Sequence, residues 1–113
     1  MADVLRFADE LARLSPGEHD FAELFRARSG SLSMTVARWR AGATDGQQPH
    51  TEDEVYYLVA GRAVLVIDGQ PHLVESGSVA FVAAGVDHCF TEITEDLEVL
   101  VFWSPARHTN RQG

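Results

Sequence analysis

The chain has 113 residues, the size of one domain, and this length is enough to bury roughly 60–70% of the unfolded surface without staples. Its formal net charge is −8 and all nine basic residues are arginine, so neither a nucleic-acid groove nor an anionic membrane surface is expected as a partner. The absence of lysine excludes Schiff-base catalysis and lysine general bases.

A short helix followed by a hairpin is predicted at the N-terminus. Apolar residues in Val4–Leu14 recur at spacings near three and four, which is typical of an amphipathic helix that ends before a Pro-Gly pair. An edge strand over Val4–Phe7 is the alternative. Phe21–Arg28 and Leu32–Arg40 are predicted as paired strands, because a Ser-Gly-Ser turn separates them and the second alternates with a period of two.

The rest of the chain is predicted to consist of short strands joined by turns. Asp68-Gly69 is a favoured pair for a type I′ hairpin turn. The absence of βαβ alternation and of internal repeats favours an all-β barrel or sandwich. The predicted strands are Val55–Val59, Ala63–Ile67, Pro71–Val74, Val79–Val82, His88–Ile93 and Leu97–Trp103.

These elements form one barrel domain with two extensions. Residues 1–20 are expected to be a helical or extended arm, residues 21–104 the barrel, and residues 105–113 a flexible C-terminal tail. The N-terminus carries acids where a secretory signal has basic and then apolar residues, and no window approaches the ~20 apolar residues of a membrane span. The single cysteine, Cys89, agrees with a reducing compartment. We therefore expect a soluble, cytoplasmic protein without a membrane partner.

The segment Gly42–Gly61 concentrates polar residues just before an apolar strand. Side chains that point into a barrel need a partner or a metal to offset their desolvation. If His50 points inward, then Gln48, Glu52 and Glu54 share its side wherever the backbone is extended. This segment is therefore the best candidate for a functional site.

The spacing in this segment resembles the first motif of the cupin family, G-x5-H-x-H-x3-E-x6-G. Its five fixed positions fall on Gly42, Gln48, His50, Glu54 and Gly61. Gln48 stands where the family usually has its first histidine. The resemblance implies a single conserved β-barrel, jelly-roll-like and of the small cupin type, over roughly residues 32–103.

A second segment resembles the other cupin motif, G-x5-P-x-G-x2-H-x3-N. Gly77, Gly85 and His88 match it, whereas Ala83 replaces the proline and Glu92 the asparagine. Both motifs occur in the family's order, which supports the fold more strongly than any particular reaction.

The resemblance implies one divalent transition metal, which would be iron, manganese, nickel, copper or zinc. Its expected ligands are Gln48, His50, Glu54 and His88. Two histidines and one carboxylate suit such metals and leave positions open for water or substrate. An amide oxygen at Gln48 favours a harder metal such as manganese, and Gln47 is the alternative ligand if the loop register differs by one.

The expected function is metal-dependent chemistry on a small organic molecule. A bound metal would polarise a carbonyl or enolate or, as iron, bring dioxygen to the substrate. An oxygenase is the leading hypothesis, an isomerase or lyase the second, and a non-enzymatic binding module the contrasting one, which Gln48, Ala83 and Glu92 favour as departures from the motifs. We also expect a homodimer that pairs through Phe21–Arg40, because small cupins commonly pair through their sheets.

The other candidate residues are expected to be structural. Glu52 and Asp53 are predicted to form a solvated turn, and Cys89 to pack as an apolar side chain. The histidines expected outside the site are His19, His72 and His108. The aromatic residues expected in the core are Tyr56, Tyr57, Phe81, Phe90, Phe102 and Trp103.

Overall fold

The computed structural model describes residues 3–46 and 49–108, which form one short helix and six antiparallel strands. The predicted all-β class with a short N-terminal helix is confirmed. The elements are α1 (Phe7–Ala12), β1 (His19–Arg26), β2 (Ser33–Trp39), β3 (Asp53–Ile67), β4 (Gln70–Glu75), β5 (Val79–Val82) and β6 (His88–Ser104).

The two long strands β3 and β6 organise the sheet. They pair from Asp53 opposite Ser104 to Ile67 opposite His88, and the strand order is β1-β2-β6-β3-β4. The first half of β3 also pairs with β5, and its second half pairs with β4. Strand β2 pairs with β1 on one side and with the second half of β6 on the other. The long strands are therefore shared by two half-sheets.

The long strands bend where the half-sheets meet. Their register is irregular between Leu58 and Val64, and Gly61 lies there with φ of +102°. A Cβ atom at Gly61 would lie 2.3 Å from the carbonyl oxygen of Asp96, so only glycine fits. The sequence predicted that each long strand would be two separate strands, one on each side of this bend. That prediction was wrong because the glycine bends β3 without ending it, and β6 likewise continues through Glu92 at φ 47°.

The two half-sheets pack face to face around aromatic side chains. The Phe90 ring comes from one half, and it contacts the rings of Trp39 and Tyr56 from the other at centroid distances of 4.9 and 5.3 Å. All three side chains are almost fully buried. Burial of this apolar surface is the main term that closes the barrel.

Two of the predicted turns are observed. Strands β1 and β2 form the predicted N-terminal hairpin. Asp68 and Gly69 both have positive φ, 49° and 76°, as a type I′ turn requires. No helix within residues 3–46 and 49–108 is long and apolar enough to cross a bilayer.

Residues 105–108 lie on the barrel. Ala106 is fully buried and donates its backbone N–H to Gly30. The backbone of Arg107 donates to Ser33 Oγ at 2.8 Å and accepts from the Arg26 guanidinium at 2.8 Å. This part of the predicted tail is thus held by the β1–β2 hairpin, and residues 109–113 lie outside the described residues.

Candidate metal centre

Three of the predicted ligands come together inside the barrel. His50 precedes β3, Glu54 is the second residue of β3, and His88 is the first residue of β6. Glu54 Oε1 lies 3.6 Å from His50 Nε2 and 3.2 Å from His88 Nε2. One ligand atom from each residue lies within 4.8 Å of the others, so the three could hold a metal ion.

The loops that carry the histidines are tied to each other. The backbone N–H of Gly85 donates to the carbonyl of His50 at 2.7 Å. The backbone N–H of Ala84 donates to the Asp53 carboxylate at 2.8 Å. The Trp103 ring meets the His50 ring edge-on at 4.8 Å. Backbone bonds and an aromatic wall therefore fix His50 independently of any ligand.

The hydrogen bonding of His88 selects one tautomer. Its Nδ1 lies 3.0 Å from the carbonyl of Val86, so Nδ1 carries the proton and donates it. In the neutral ring, the lone pair of Nε2 then faces Glu54. Neither Glu54 oxygen nor His88 Nε2 has a hydrogen-bond partner among the described residues, and all are buried. Two acceptors face each other, and such a pair requires a proton or a cation between them.

The two imidazoles differ in their affinity for a proton. Burial lowers the pKa of His50 and exceeds the opposing attraction of Glu54. Burial also acts to lower the pKa of His88, but the Glu54 carboxylate and the Val86 carbonyl outweigh it and raise that pKa. Without a metal, His88 is therefore the group that takes up the proton shared with Glu54.

The two separations measured from Glu54 Oε1 fit a divalent ion. Ligands about 2.0–2.2 Å from a metal, at angles of about 100–120°, lie roughly 3.1–3.8 Å apart. The observed separations of 3.2 and 3.6 Å from Glu54 Oε1 fall in this range. The acceptors, their spacing and their burial all suit a cation.

The other residues that the sequence placed near the site are Gln47, Gln48, Glu52 and Asp53. Gln48 and its alternative Gln47 lie outside the described residues. The prediction of a solvated Glu52 was wrong. Glu52 is 3% exposed, and its carboxylate accepts from the backbone N–H of His108 at 2.9 Å and from Thr51 Oγ1 at 3.0 Å. The C-terminal segment covers it, whereas Asp53 is exposed as predicted.

A cavity of about 360 Å³ opens onto His50 and Glu54. The expectation that His19 lies outside the site was wrong, because His19 lines this cavity, and Arg107 was not indicated by the sequence at all. His19 stacks on Trp39 with centroids 4.1 Å apart, and Arg107 also lines the cavity. Arg107 follows the barrel in a polar segment without periodicity, so no local signal marks it. The cavity is lined by His19, Phe21, Thr35, Ala37, Trp39, Asp45, Gly46, His50, Glu54, Tyr56, Val101, Trp103 and Arg107.

The expected aromatic core is only partly correct. Tyr56, Phe90 and Trp103 are buried, and Phe102 is partly buried. Tyr57 and Phe81 are 40% and 60% exposed, because alternate residues of β3 and β5 face outward.

The remaining residues expected outside the site are distributed as follows. His72 is exposed on β4, and His108 is exposed near the end of the described chain. Cys89 is partly buried, follows His88 on β6, and lines a smaller cavity of about 260 Å³.

Comparisons with known proteins agree with this architecture. An uncharacterised protein of Streptomyces coelicolor is 45% identical over 87 residues, which cover 77% of this chain and 83% of that protein. A solved structure from Thermus thermophilus superposes with a TM-score of 0.75 at 23% identity, covering 90% of this chain and 97% of that one. The salicylate 1,2-dioxygenase of Pseudoaminobacter salicylatoxidans, a G106A mutant, superposes with a TM-score of 0.69 at 16% identity, covering 77% of this chain and 25% of that one.

The two solved structures share the fold with this chain. The sequence profile described as the cupin domain matches residues 35–104, which is more than half of the chain and contains His50, Glu54 and His88. The chain therefore belongs to the cupin family.

Proposed function

We propose that this cupin is a metal-dependent enzyme acting on a small organic molecule, with His50, Glu54 and His88 as metal ligands and an oxygenase as the leading reaction class. The observation that carries the proposal is the opposed, buried pair of acceptors formed by Glu54 and His88 Nε2. Such a pair is expensive unless a cation or a proton lies between the two groups. Gln48 remains a proposed fourth ligand.

Two histidines and one carboxylate favour iron(II) among the candidate metals for oxygen chemistry. This ligand set leaves coordination positions open and is typical of non-haem iron oxygenases. When bound, iron would supply the electrons that activate dioxygen. The likeness in fold to a salicylate dioxygenase is compatible with this class.

The chain's own residues would prepare the site for that chemistry. Glu54 would offset part of the metal charge in a place largely shielded from bulk water, since its side chain is 1% exposed. The Val86 carbonyl holds His88 in the tautomer that presents Nε2. The cavity walls contributed by Trp39, Tyr56 and Trp103 would bind an apolar substrate and exclude water from it.

The test combines metal analysis with oxygen uptake. Protein purified without a chelator or histidine tag is analysed for metals, loaded anaerobically with iron(II), and mixed with candidate diketones, flavonoids and thiols. We expect oxygen consumption in step with substrate loss. His88→Ala should lose most bound iron and the activity, whereas the exposed control His72→Ala should retain both.

Each other outcome points to a different function. Turnover without oxygen would replace the oxygenase by an isomerase or lyase. Ligand binding without turnover would favour the non-enzymatic binding module. Retention of full stoichiometric metal by His88→Ala would remove His88 from the ligand set.

A further inference from the structure

Arg107 is a cation that lines the cavity. Within residues 3–46 and 49–108, its guanidinium forms no ion pair, although the chain has 17 acidic residues against nine basic ones. It lies over the rings of Phe21 and Trp103, 5.2 and 5.3 Å from their centroids. These ring faces hold the guanidinium by cation–π attraction and leave its N–H groups available.

The backbone around Arg107 is fixed, so the position of this cation is built into the fold. The N–H of Arg107 donates to Ser33 Oγ at 2.8 Å, and the N–H of the next residue, His108, donates to buried Glu52 at 2.9 Å. Ala106, on the other side, is fully buried. The guanidinium is therefore presented by an anchored segment.

The cavity joins this cation to the metal centre. Arg107 lines the same cavity of about 360 Å³ as His50 and Glu54, near the lower end of the size range of small-molecule sites. Aromatic rings of Phe21, Trp39 and Trp103 make up much of the wall. A ligand that fills this space can meet a cation, apolar walls and the metal ligands at once.

We infer that Arg107 binds the carboxylate of the substrate, and that this cupin acts on small organic monocarboxylates with an apolar or aromatic body. That the bound carboxylate is a substrate rests on the proposed function. The preference of the cavity for a carboxylate rests on Arg107 alone. The planar fork of arginine matches a carboxylate through two parallel hydrogen bonds.

Intrinsic fluorescence gives a direct test, because both tryptophans of the chain, Trp39 and Trp103, line the cavity. Fluorescence titrations compare benzoate with benzamide, and acetate with acetamide, in metal-free and in zinc-loaded protein. The members of each pair have nearly equal shape and differ in charge. We expect wild-type protein to prefer benzoate to benzamide by about tenfold or more, in both metal states.

Variants separate recognition from packing. Arg107→Gln should abolish the preference for benzoate over benzamide, and Arg107→Lys should restore part of it, since lysine keeps the charge but loses the fork. Arg28→Gln is the matched control, because Arg28 is exposed, lies outside the cavity lining and carries the same charge. It should leave the preference unchanged. Zinc affinity should be retained in all three variants.

Distinct outcomes would overturn the inference. No preference for the carboxylate in either ligand pair, including no binding of any of the four, would show that the cavity is not an anion site. An equal loss of benzoate and benzamide affinity in Arg107→Gln would show that Arg107 only packs against the rings. Failure of wild-type protein to bind any metal would overturn the proposed function while leaving the benzoate preference measurable.

Discussion

At the scale of single residues, the site depends on what lies between Glu54 and His88. In the metal-free protein, a proton on His88 Nε2 can take the place of the cation, because it converts one of the two acceptors into a donor. The pKa of His88 is raised because the Glu54 carboxylate, 3.2 Å from Nε2, stabilises the imidazolium. A metal bound as proposed would therefore compete with this proton for the same pair of residues.

The first prediction is that metal binding displaces one proton. Zinc affinity should fall about tenfold per pH unit once the pH is below the raised pKa of His88. His50 should add little to this slope, because burial lowers its pKa. Calorimetric titration in buffers of different ionisation enthalpy would measure the proton release. A slope of two would show that His50 also titrates.

The second prediction concerns stability without metal. The pKa of His88 is higher in the folded than in the unfolded protein, so its contribution is present below pH 6.5 and is lost as the pH rises through the folded pKa. The unfolding free energy of metal-free protein should decrease over that window. The lowered pKa values of His19 and His50 act in the opposite direction and below pH 6.5, so the effects separate.

Chemical denaturation across this pH range would check the second prediction. His88→Gln should remove the decrease, and the exposed control His72→Gln should leave it unchanged. Saturating zinc should also abolish the decrease. A decrease that persists in His88→Gln would assign it to another group.

At the scale of elements, the bend in the long strands sets the fold. Gly61 in β3 is required by its φ of +102° and by its approach to the Asp96 carbonyl. On β6, Glu92 adopts φ of 47°, which costs a residue such as glutamate roughly 1–2 kcal/mol. Asparagine tolerates this conformation. The cupin motif has asparagine at this position. We therefore expect that Glu92 in its place strains the backbone and does not change the chemistry of the site.

The third prediction follows from this backbone conformation. Glu92→Asn should stabilise the protein by about 1 kcal/mol and raise Tm by about 4 °C, because the exposed side chain pays less strain. Glu92→Gln is the control for loss of charge, and it should leave Tm nearly unchanged. Thermal unfolding followed by circular dichroism would measure both. Equal shifts in the two variants would show that charge, not backbone strain, is responsible.

Local sequence patterns predicted where the strands lie more accurately than whether a strand continues through a bend. The alternation after Leu32 and the Asp68-Gly69 pair specify hairpins through neighbouring residues, and both were predicted. Gly61 has the composition of a turn, but its partner Asp96 is distant in sequence, so the bend could not be distinguished from a chain reversal. The spacing of the two motifs was enough to bring His50 and His88 together.

The parts of the site that the sequence missed depend on tertiary contacts. Burial of Glu52 requires the backbone of His108 to cross over it. Arg107 reaches the cavity because Ala106 is anchored to Gly30. Neither contact produces a local sequence pattern, so the polar residues 105–108 were predicted to be part of a flexible tail.

At the scale of the whole molecule, one outer face of the barrel is apolar. Val79 pairs with Tyr57 and Phe81 with Val55 across β5 and β3. Val79, Tyr57 and Phe81 are 68%, 40% and 60% exposed. Three large apolar side chains grouped on one face are typical of an interaction surface.

The exposed apolar face suggests a different contact for the expected homodimer. The sequence placed its contact at Phe21–Arg40. In that segment, Phe21 and Leu32 are 52% and 48% exposed, but the Phe21 ring lies under Arg107 at the cavity and Val36 is fully buried. The face formed by Tyr57, Val79 and Phe81 has more apolar surface to offer a second copy. We predict that the homodimer forms through this face.

The fourth prediction tests that dimer with charge placed at the centre of the face. Phe81→Glu should weaken dimerisation roughly hundredfold, because pairing two copies would bury carboxylates next to apolar side chains. Leu32→Glu is the matched control in the segment first expected to pair, since Leu32 is also exposed, at 48%. Sedimentation equilibrium at about ten to fifty micromolar would measure both variants. Dissociation by Leu32→Glu alone would return the contact to the N-terminal strands, and a monomeric wild-type protein would remove the dimer altogether.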